Sequence, residues 1–258
     1  MMDSRLSFSS NIKRSIKGFL KKINMSYRQL MGFQSNVKDI GEVTPPYFKR
    51  GYMKRSFSQQ GEDLSLDRIW TRVFKRDLKY PGKYVDIGSY HPVDHSVTYL
   101  MYLRGWSGLV VDASPKSCEL HKKQRPRDKV INAVVGSSDL DSVDFYFHKS
   151  GKLSLINTKY PDDINNYSKI SLPQKNINTI LDASGINEID FLNIDIEGAE
   201  MEVLDSLNFQ KYKPKIIAVE IHGNDIQKGL KSDVSNKLLE MNYKLVAVNV
   251  ITYFFIQI

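Results

Sequence analysis

Apolar positions recur along this chain at two spacings. Over Asn11 to Phe33, Ile12, Ile16, Phe19, Leu20 and Ile23 fall at helical intervals, with Lys13, Arg14, Lys17, Lys21 and Lys22 between them. That spacing predicts an amphipathic basic helix. Residues 34–56 read as a linker, broken at Thr44-Pro45-Pro46-Tyr47. From Phe57 the pattern becomes regular. A helix is expected over Glu62–Phe74, a strand over Lys83–Ile87 stopped by Gly88, and a helix over His95–Arg104 closed by Gly105. A strand over Gly108–Asp112, a helix over Ser117–Arg125 and a strand over Val130–Val135 follow. Val143–Phe147 is a further strand, and the polar stretch Ser150–Ser171 reads as loop. Beyond it come strand Phe191–Asp195, helix Glu200–Leu207, strand Ile216–Ile221 and helix Val234–Met241. Tyr243–Val248 and Ile251–Ile256 flank a reversal at Asn249.

Strands alternating with helices imply an α/β fold. The expectation is a Rossmann-like, mostly parallel sheet with helices on both faces and a C-terminal antiparallel hairpin. Residues 1–56 form a basic N-terminal helix and linker, and residues 57–258 the folded body.

Composition fits that picture. The chain has 258 residues, 41% of them hydrophobic and 11% aromatic, enough for a full core. No apolar run approaches the ~20 residues of a membrane span. Lysines interrupt any signal-peptide core, and the single cysteine, Cys118, excludes an internal disulfide. A cytoplasmic protein is expected. The net charge of +8 is uneven: residues 1–55 hold 12 Lys/Arg against 3 Asp/Glu, and the remainder 25 against 26. A near-neutral body argues against a nucleic-acid groove. The basic helix either lies on an anionic membrane surface or binds an acidic partner. Otherwise it packs on the domain or on a second subunit.

In open α/β sheets ligands bind outside the carboxyl ends of the strands. Those ends read Asp86-Ile87-Gly88-Ser89, Asp112-Ala113-Ser114, Asp195-Ile196-Glu197-Gly198 and Glu220-Ile221-His222-Gly223. Four acids at one sheet edge suggest a site. Gly88 allows a ligand close to the backbone. Asp112 stands where a carboxylate accepts both ribose hydroxyls of a nucleoside. The turn Gly88-Ser89-Tyr90-His91-Pro92-Val93 has one glycine and no pyrophosphate cradle. This favours S-adenosylmethionine over NAD.

Several stretches resemble the FkbM family of methyltransferases. Phe191-Leu192-Asn193-Ile194-Asp195-Ile196-Glu197-Gly198-Ala199-Glu200, followed by Glu202-Val203-Leu204, is similar to the family's K-x-D-x-E-G-x-E hallmark. Ser58-Gln59-Gln60-Gly61-Glu62-Asp63, Tyr84 to Pro92, Gly105-Trp106-Ser107-Gly108 and Arg125-Pro126-Arg127-Asp128 also resemble family segments, in order. Three positions depart: Asn193 stands for the usual lysine, Ser96-Val97-Thr98 for Ser-Asn-Thr, and Asp112 for a frequent glutamate. The resemblance implies an S-adenosylmethionine-dependent enzyme, mostly an O-methyltransferase of polysaccharide, lipopolysaccharide or natural-product pathways. It places Asp86, Gly88 and Ser89 at the methionine part of the donor, Asp112 at the ribose, and Ala113 and Ser114 at the adenosine. Gln60 and Glu62 close over the site, unless the Ser58 segment serves as a helix cap.

For catalysis Asp195 is best placed, with His222 on the neighbouring strand as a general base and Glu197 pointing at the site. Alternatively, Asp195, Glu220 and His222 ligate Mg²⁺ or Mn²⁺. Glu200 shares a helix face with Glu197 and is open to pairing with a lysine. His91, Asp94 and His95 read as a solvated turn, Cys118 as inert, and Phe145-Tyr146-Phe147 as strand rather than a base-stacking platform. The expected function is methyl transfer to a sugar hydroxyl in glycan or polysaccharide biosynthesis. A different small-molecule acceptor, or a non-catalytic nucleotide-binding module, stand as alternatives.

Overall fold

In the computed structural model the short apolar runs from Lys83 onward lie side by side. The structure describes residues 54–77, 80–148, 154–156, 164–223 and 225–258, and Ser56–Ile258 is one compact unit. The expected basic helix over Asn11–Phe33 and the Thr44-Pro45-Pro46-Tyr47 break lie outside the described residues.

Strands β1 (Lys83–Ile87), β2 (Ser107–Asp112) and β3 (Lys129–Asn132) pair in parallel. β8 (Phe191–Ile194) pairs with the other edge of β1, and β9 (Ile216–Glu220) with β8, also in parallel. The closing strands β10 (Tyr243–Asn249) and β11 (Thr252–Gln257) are antiparallel to each other, and β11 inserts beside β9. The order is β10-β11-β9-β8-β1-β2-β3. The chain steps outward from β1 to β3 and then returns to β8 on the other side. That reversal opens a crevice at the carboxyl ends of β1 and β8.

The pleat sorts the core into two layers. Val85, Ile87, Leu109, Val111, Leu192, Ile194, Ile217 and Val219 face α4 (Ile177–Ser184), α5 (Glu200–Ser206) and α7 (Asp233–Glu240). Tyr84, Phe191, Ile216, Ala218 and Phe254 face α1 (Glu62–Arg68) and α2 (Tyr99–Leu103), where Leu66, Trp70, Met101 and Trp106 complete the layer. The remaining helices are α3 (Pro115–Gln124) and the short α6 (Ile226–Gly229).

Four expectations change. The predicted helix over Glu62–Phe74 is α-helical only to Arg68, then widens into a π-turn over Ile69–Val73. The helix expected from His95 begins at Tyr99, because His95 has a left-handed φ of 61° and Ser96 and Thr98 turn inward to polar partners. The strand expected over Val130–Val135 breaks at Ala133. Its second part, β4 (Val134–Gly136), joins another sheet, in the order β4-β7-β5-β6. That sheet holds β5 (Leu140–His148), β6 (Ser154–Ile156) and β7 (Tyr167–Asn176). Within the stretch expected as loop, Ser154–Ile156 and residues 167–171 are therefore strand. β7 is largely solvent-accessible, so no apolar run marks it. Helix α4 was not expected, although Asn176 caps it and Ile177, Ile180, Leu181 and Ser184 form its buried face.

Candidate active site

Strand β1 ends in Asp86-Ile87-Gly88, and its turn is pressed against the turn after β8. Gly88 has φ 80°, and a Cβ there would stand 1.7 Å from the Asp195 carbonyl oxygen. Only glycine fits this approach. Glu197 and Gly198, in the turn after β8, also adopt left-handed backbone at φ 57° and 106°. Glu200 makes that turn possible: its buried carboxylate accepts from Ile196 N at 3.3 Å and Gly198 N at 2.9 Å. It takes backbone donors in place of the lysine considered from the sequence.

A narrow cleft between these ends is lined by Gln60, Glu62, His95, Asn193, Asp195 and Glu220, among others. Asp195 and Glu220 follow directly on the paired residues Ile194 and Val219, so their carboxyls meet. Burial, and next the hydrogen-bonded Glu220 carboxylate, push Asp195 well above the ordinary carboxylate range. Asp86 and Glu200 add to this. At the mouth His222 is half exposed, with Nε2 3.3 Å from Glu197 and Nδ1 3.9 Å from Glu220. Burial and Asp195 raise Glu197, while His222 opposes the shift.

The segment before α1 closes one wall. Asp63 is buried and accepts from Ser56 Oγ, Phe57 N and Ser58 Oγ at 2.6, 2.7 and 2.9 Å. Gly61 holds the N-cap position, while Ser58 Oγ accepts from the helix N–H of Asp63 at 3.2 Å. Glu62 accepts from Gln60 N at 2.7 Å, and Thr252 Oγ1 donates to it at 3.5 Å. Asn249 Nδ2 donates to the Gln60 carbonyl at 3.3 Å, so the closing hairpin anchors this wall. Gln60 Oε1 is buried with no partner among the described residues, an acceptor in a cleft wall.

The residues expected at the donor divide into two groups. Gln60, Glu62 and Asp195 share the cleft. Asp86 lies beneath it, 2% exposed, accepting from Thr98 Oγ1 at 2.6 Å and Asn193 Nδ2 at 3.0 Å. Burial raises Asp86, and the Arg125 guanidinium opposes that. Asp112 is half-buried, accepting from Tyr90 N and Ser114 N, each at 2.7 Å. Burial raises it, countered by these N–H bonds. Ser114 Oγ caps α3 through Ser117 N, and the Ala113 carbonyl accepts from Asn132. Ser89 is buried, its Oγ 3.1 Å from His121 Nε2.

Two residues emphasised by neither spacing nor charge support this floor. Arg125 is fully buried and donates to Asp128 (2.7 Å), Tyr84 Oη (2.6 Å), Thr98 Oγ1 (3.0 Å), Ser96 Oγ (3.3 Å) and the Pro92 carbonyl (3.4 Å). It ties the loop after Gly88 to the end of α3. His121 is the other, a buried neutral histidine pushed down to about 3 by burial and the nearby Arg125 charge.

The metal set considered from the sequence does not form. Among the described residues no three His, Cys, Asp or Glu side chains converge to hold an ion. Asp195 bonds to Glu220, and His222 turns Nε2 to Glu197. Mg²⁺ needs near-octahedral oxygens at about 2.0–2.1 Å, and this arrangement does not fit it. His91 Nδ1 accepts from Asp94 N at 2.9 Å, and His95 stacks on Tyr90. Cys118 is buried and raised to about 11. Phe145 and Tyr146 are buried in β5. No helix among the described residues is long and apolar enough to cross a membrane.

The model of the methyltransferase FkbM domain matches residues 86–245, more than half of the chain. Among solved structures, the chain is similar to a TehB-like SAM-dependent methyltransferase from Corynebacterium glutamicum, at 10% identity over 90% of this chain and 100% of that one, with a TM-score of 0.39. It is also similar to an O-methyltransferase from Bacillus cereus in complex with SAH, at 10% identity over 93% of this chain and 96% of that one, with a TM-score of 0.41. No curated protein matches it. On the match across residues 86–245, the chain belongs to the FkbM methyltransferase family and is an S-adenosylmethionine-dependent methyltransferase.

Proposed function

We propose that this enzyme methylates a hydroxyl of a sugar or related glycan precursor, in polysaccharide biosynthesis in the cytoplasm. The carboxyl pair of Asp195 and Glu220 carries the reading. An acceptor that sheds a proton as it is methylated needs a base beside it, whereas a neutral amine does not. S-adenosylmethionine, when bound, supplies a methyl group already activated on a sulfonium sulfur.

The described cleft lining suits that positive ligand, with Glu62, Asp195 and Glu220 and no lysine or arginine. Gln60 Oε1 offers a further acceptor. Asp112 takes the ribose hydroxyls, with Ala113 and Ser114 beside the adenosine. Asp195 accepts the acceptor's proton, and the pair with Glu220 stores it. His222, beside Glu197 and half exposed, returns it to water. The basic segment before residue 57 meets a membrane surface or a second copy of the chain, and no nucleic acid is engaged.

The test supplies methyl-labelled S-adenosylmethionine with neutral oligosaccharides and with their amino analogues. Label on a hydroxyl oxygen, lost in Asp195→Asn, is the expected result. Transfer confined to amine nitrogen would overturn the acceptor.

A further inference from the structure

Asp86 and Asn193 are paired residues on adjacent central strands, 107 positions apart in sequence. Both are buried, yet only Asn193 reaches the cleft. Asn193 Nδ2 donates to Asp86 Oδ1 at 3.0 Å. The other carboxylate oxygen accepts from Thr98 Oγ1 at 2.6 Å, which in turn accepts from the buried Arg125 guanidinium at 3.0 Å. Arg125 is itself fixed by Asp128 and Tyr84. Both carboxyl oxygens of Asp86 therefore accept, Oδ2 from Thr98 Oγ1 and Oδ1 from the NH₂ end of the facing amide. The carbonyl end of Asn193 is left on the side away from Asp86. It finds no protein donor among the described residues.

We infer that Asn193 Oδ1 contacts the positively charged end of the methyl donor, in an orientation dictated from behind by Asp86. This rests on reading the cleft as the donor's site. The chemistry favours an amide here. Asp195 and Glu220 already crowd their carboxyls together in a cleft that Glu62 also lines, and a further one would be driven neutral. An oriented amide dipole adds an acceptor for a cation without adding a charge to be desolvated.

The test is calorimetric titration of the full chain with S-adenosylmethionine, with thermal melting as a check of folding. Asn193→Leu keeps the size and removes the oxygen, and it weakens donor binding at least about tenfold, the scale of one hydrogen bond to a charged group. Asn193→Ser gives the same loss and carries the test if the leucine variant does not fold. Asp86→Asn also weakens binding, because the amide loses its fixed orientation. A residue that served only stability would lower the melting temperature and leave donor binding by the folded chain unchanged. Binding within twofold of the unmodified chain in the leucine or serine variant overturns the inference, as does Asp86→Asn binding as tightly as the unmodified chain. If the unmodified chain fails to bind the donor, the reading of the cleft falls first.

Discussion

Gly88 and Asp195 approach so closely that the hydrogen on the Gly88 Cα faces the Asp195 carbonyl, where a Cβ would stand 1.7 Å from the oxygen. This contact joins the two turns that bracket the cleft. Gly88→Ala must either push the turn after β8 away or abandon its φ of 80°. The strain costs about 1–3 kcal/mol. A shift of the order of 1 Å in Asp195 lowers methyl transfer by about 100-fold. Melting and initial rates measured together check this. A stable variant turning over at the normal rate would mean the two turns do not position the reacting groups.

The pair of Asp195 and Glu220 sets the acid side of the pH profile. Asp195 is raised, so its basic form appears only above the ordinary carboxylate range. Turnover rises with pH through that value. Glu220→Gln removes the adjacent negative charge and moves the rise to lower pH. Asp195→Asn costs about 10²- to 10⁴-fold in turnover. The linkage sign for stability follows from the same shift. A carboxyl raised in the folded state contributes stability below its unfolded pKa, and loses it as pH climbs through the folded value. Asp195→Asn is therefore more stable than the unmodified chain above that range. An acid limb unmoved by Glu220→Gln would show that another group titrates.

The sheet was legible because its strands are short apolar runs closed by acids. Asp86, Asp112, Asp195 and Glu220 each mark the carboxyl end of a strand that forms, and alternation placed those ends along one edge. The second sheet was legible only at Val143–Phe147, which forms within β5, because β7 keeps mostly accessible positions and gives no apolar contrast. The cleft was legible in part. Asp195 and Glu220 follow from neighbouring strands, but Asp86 beneath Asn193 depends on a cross-strand side-chain contact that no local pattern carries. Asn249 was marked as a reversal, whereas its bond to the Gln60 carbonyl spans 189 positions. Arg125 stood in a family-like run, and only the fold shows its five partners.

Arg125 has a defined energetic weight. Its side chain is 0% exposed, and so is that of Asp128. Arg125→Met leaves the Asp128 carboxylate buried without its cation, a loss of roughly 3–5 kcal/mol. Tyr84 Oη and Gly108 N still donate to that carboxylate, which limits the damage. Adding Asp128→Asn to Arg125→Met therefore costs less than the two single losses combined. Denaturant unfolding of the four-member cycle measures the difference. Strict additivity would show that the pair does not act as a unit.

His121 gives the opposite pH signature from Asp195. Its Nε2 meets Ser89 Oγ at 3.1 Å, while Nδ1 is buried without a partner among the described residues. A bare ring nitrogen that only accepts is less costly there than an N–H with nowhere to donate, so the proton belongs on Nε2. Burial and Arg125 hold the ring neutral down to about 3. The unfolded chain binds that proton near the ordinary histidine value, and the folded chain does not. Stability from this group is complete above the unfolded pKa and is lost as pH falls through it toward about 3. His121→Leu removes the linkage, so its acid unfolding is less steep between those values. The imidazole ¹⁵N shifts of the folded chain should show one neutral tautomer from pH 5 to 8. A titration midpoint inside that window would mean His121 opens to water, and Ser89 would then be free to turn toward the cleft.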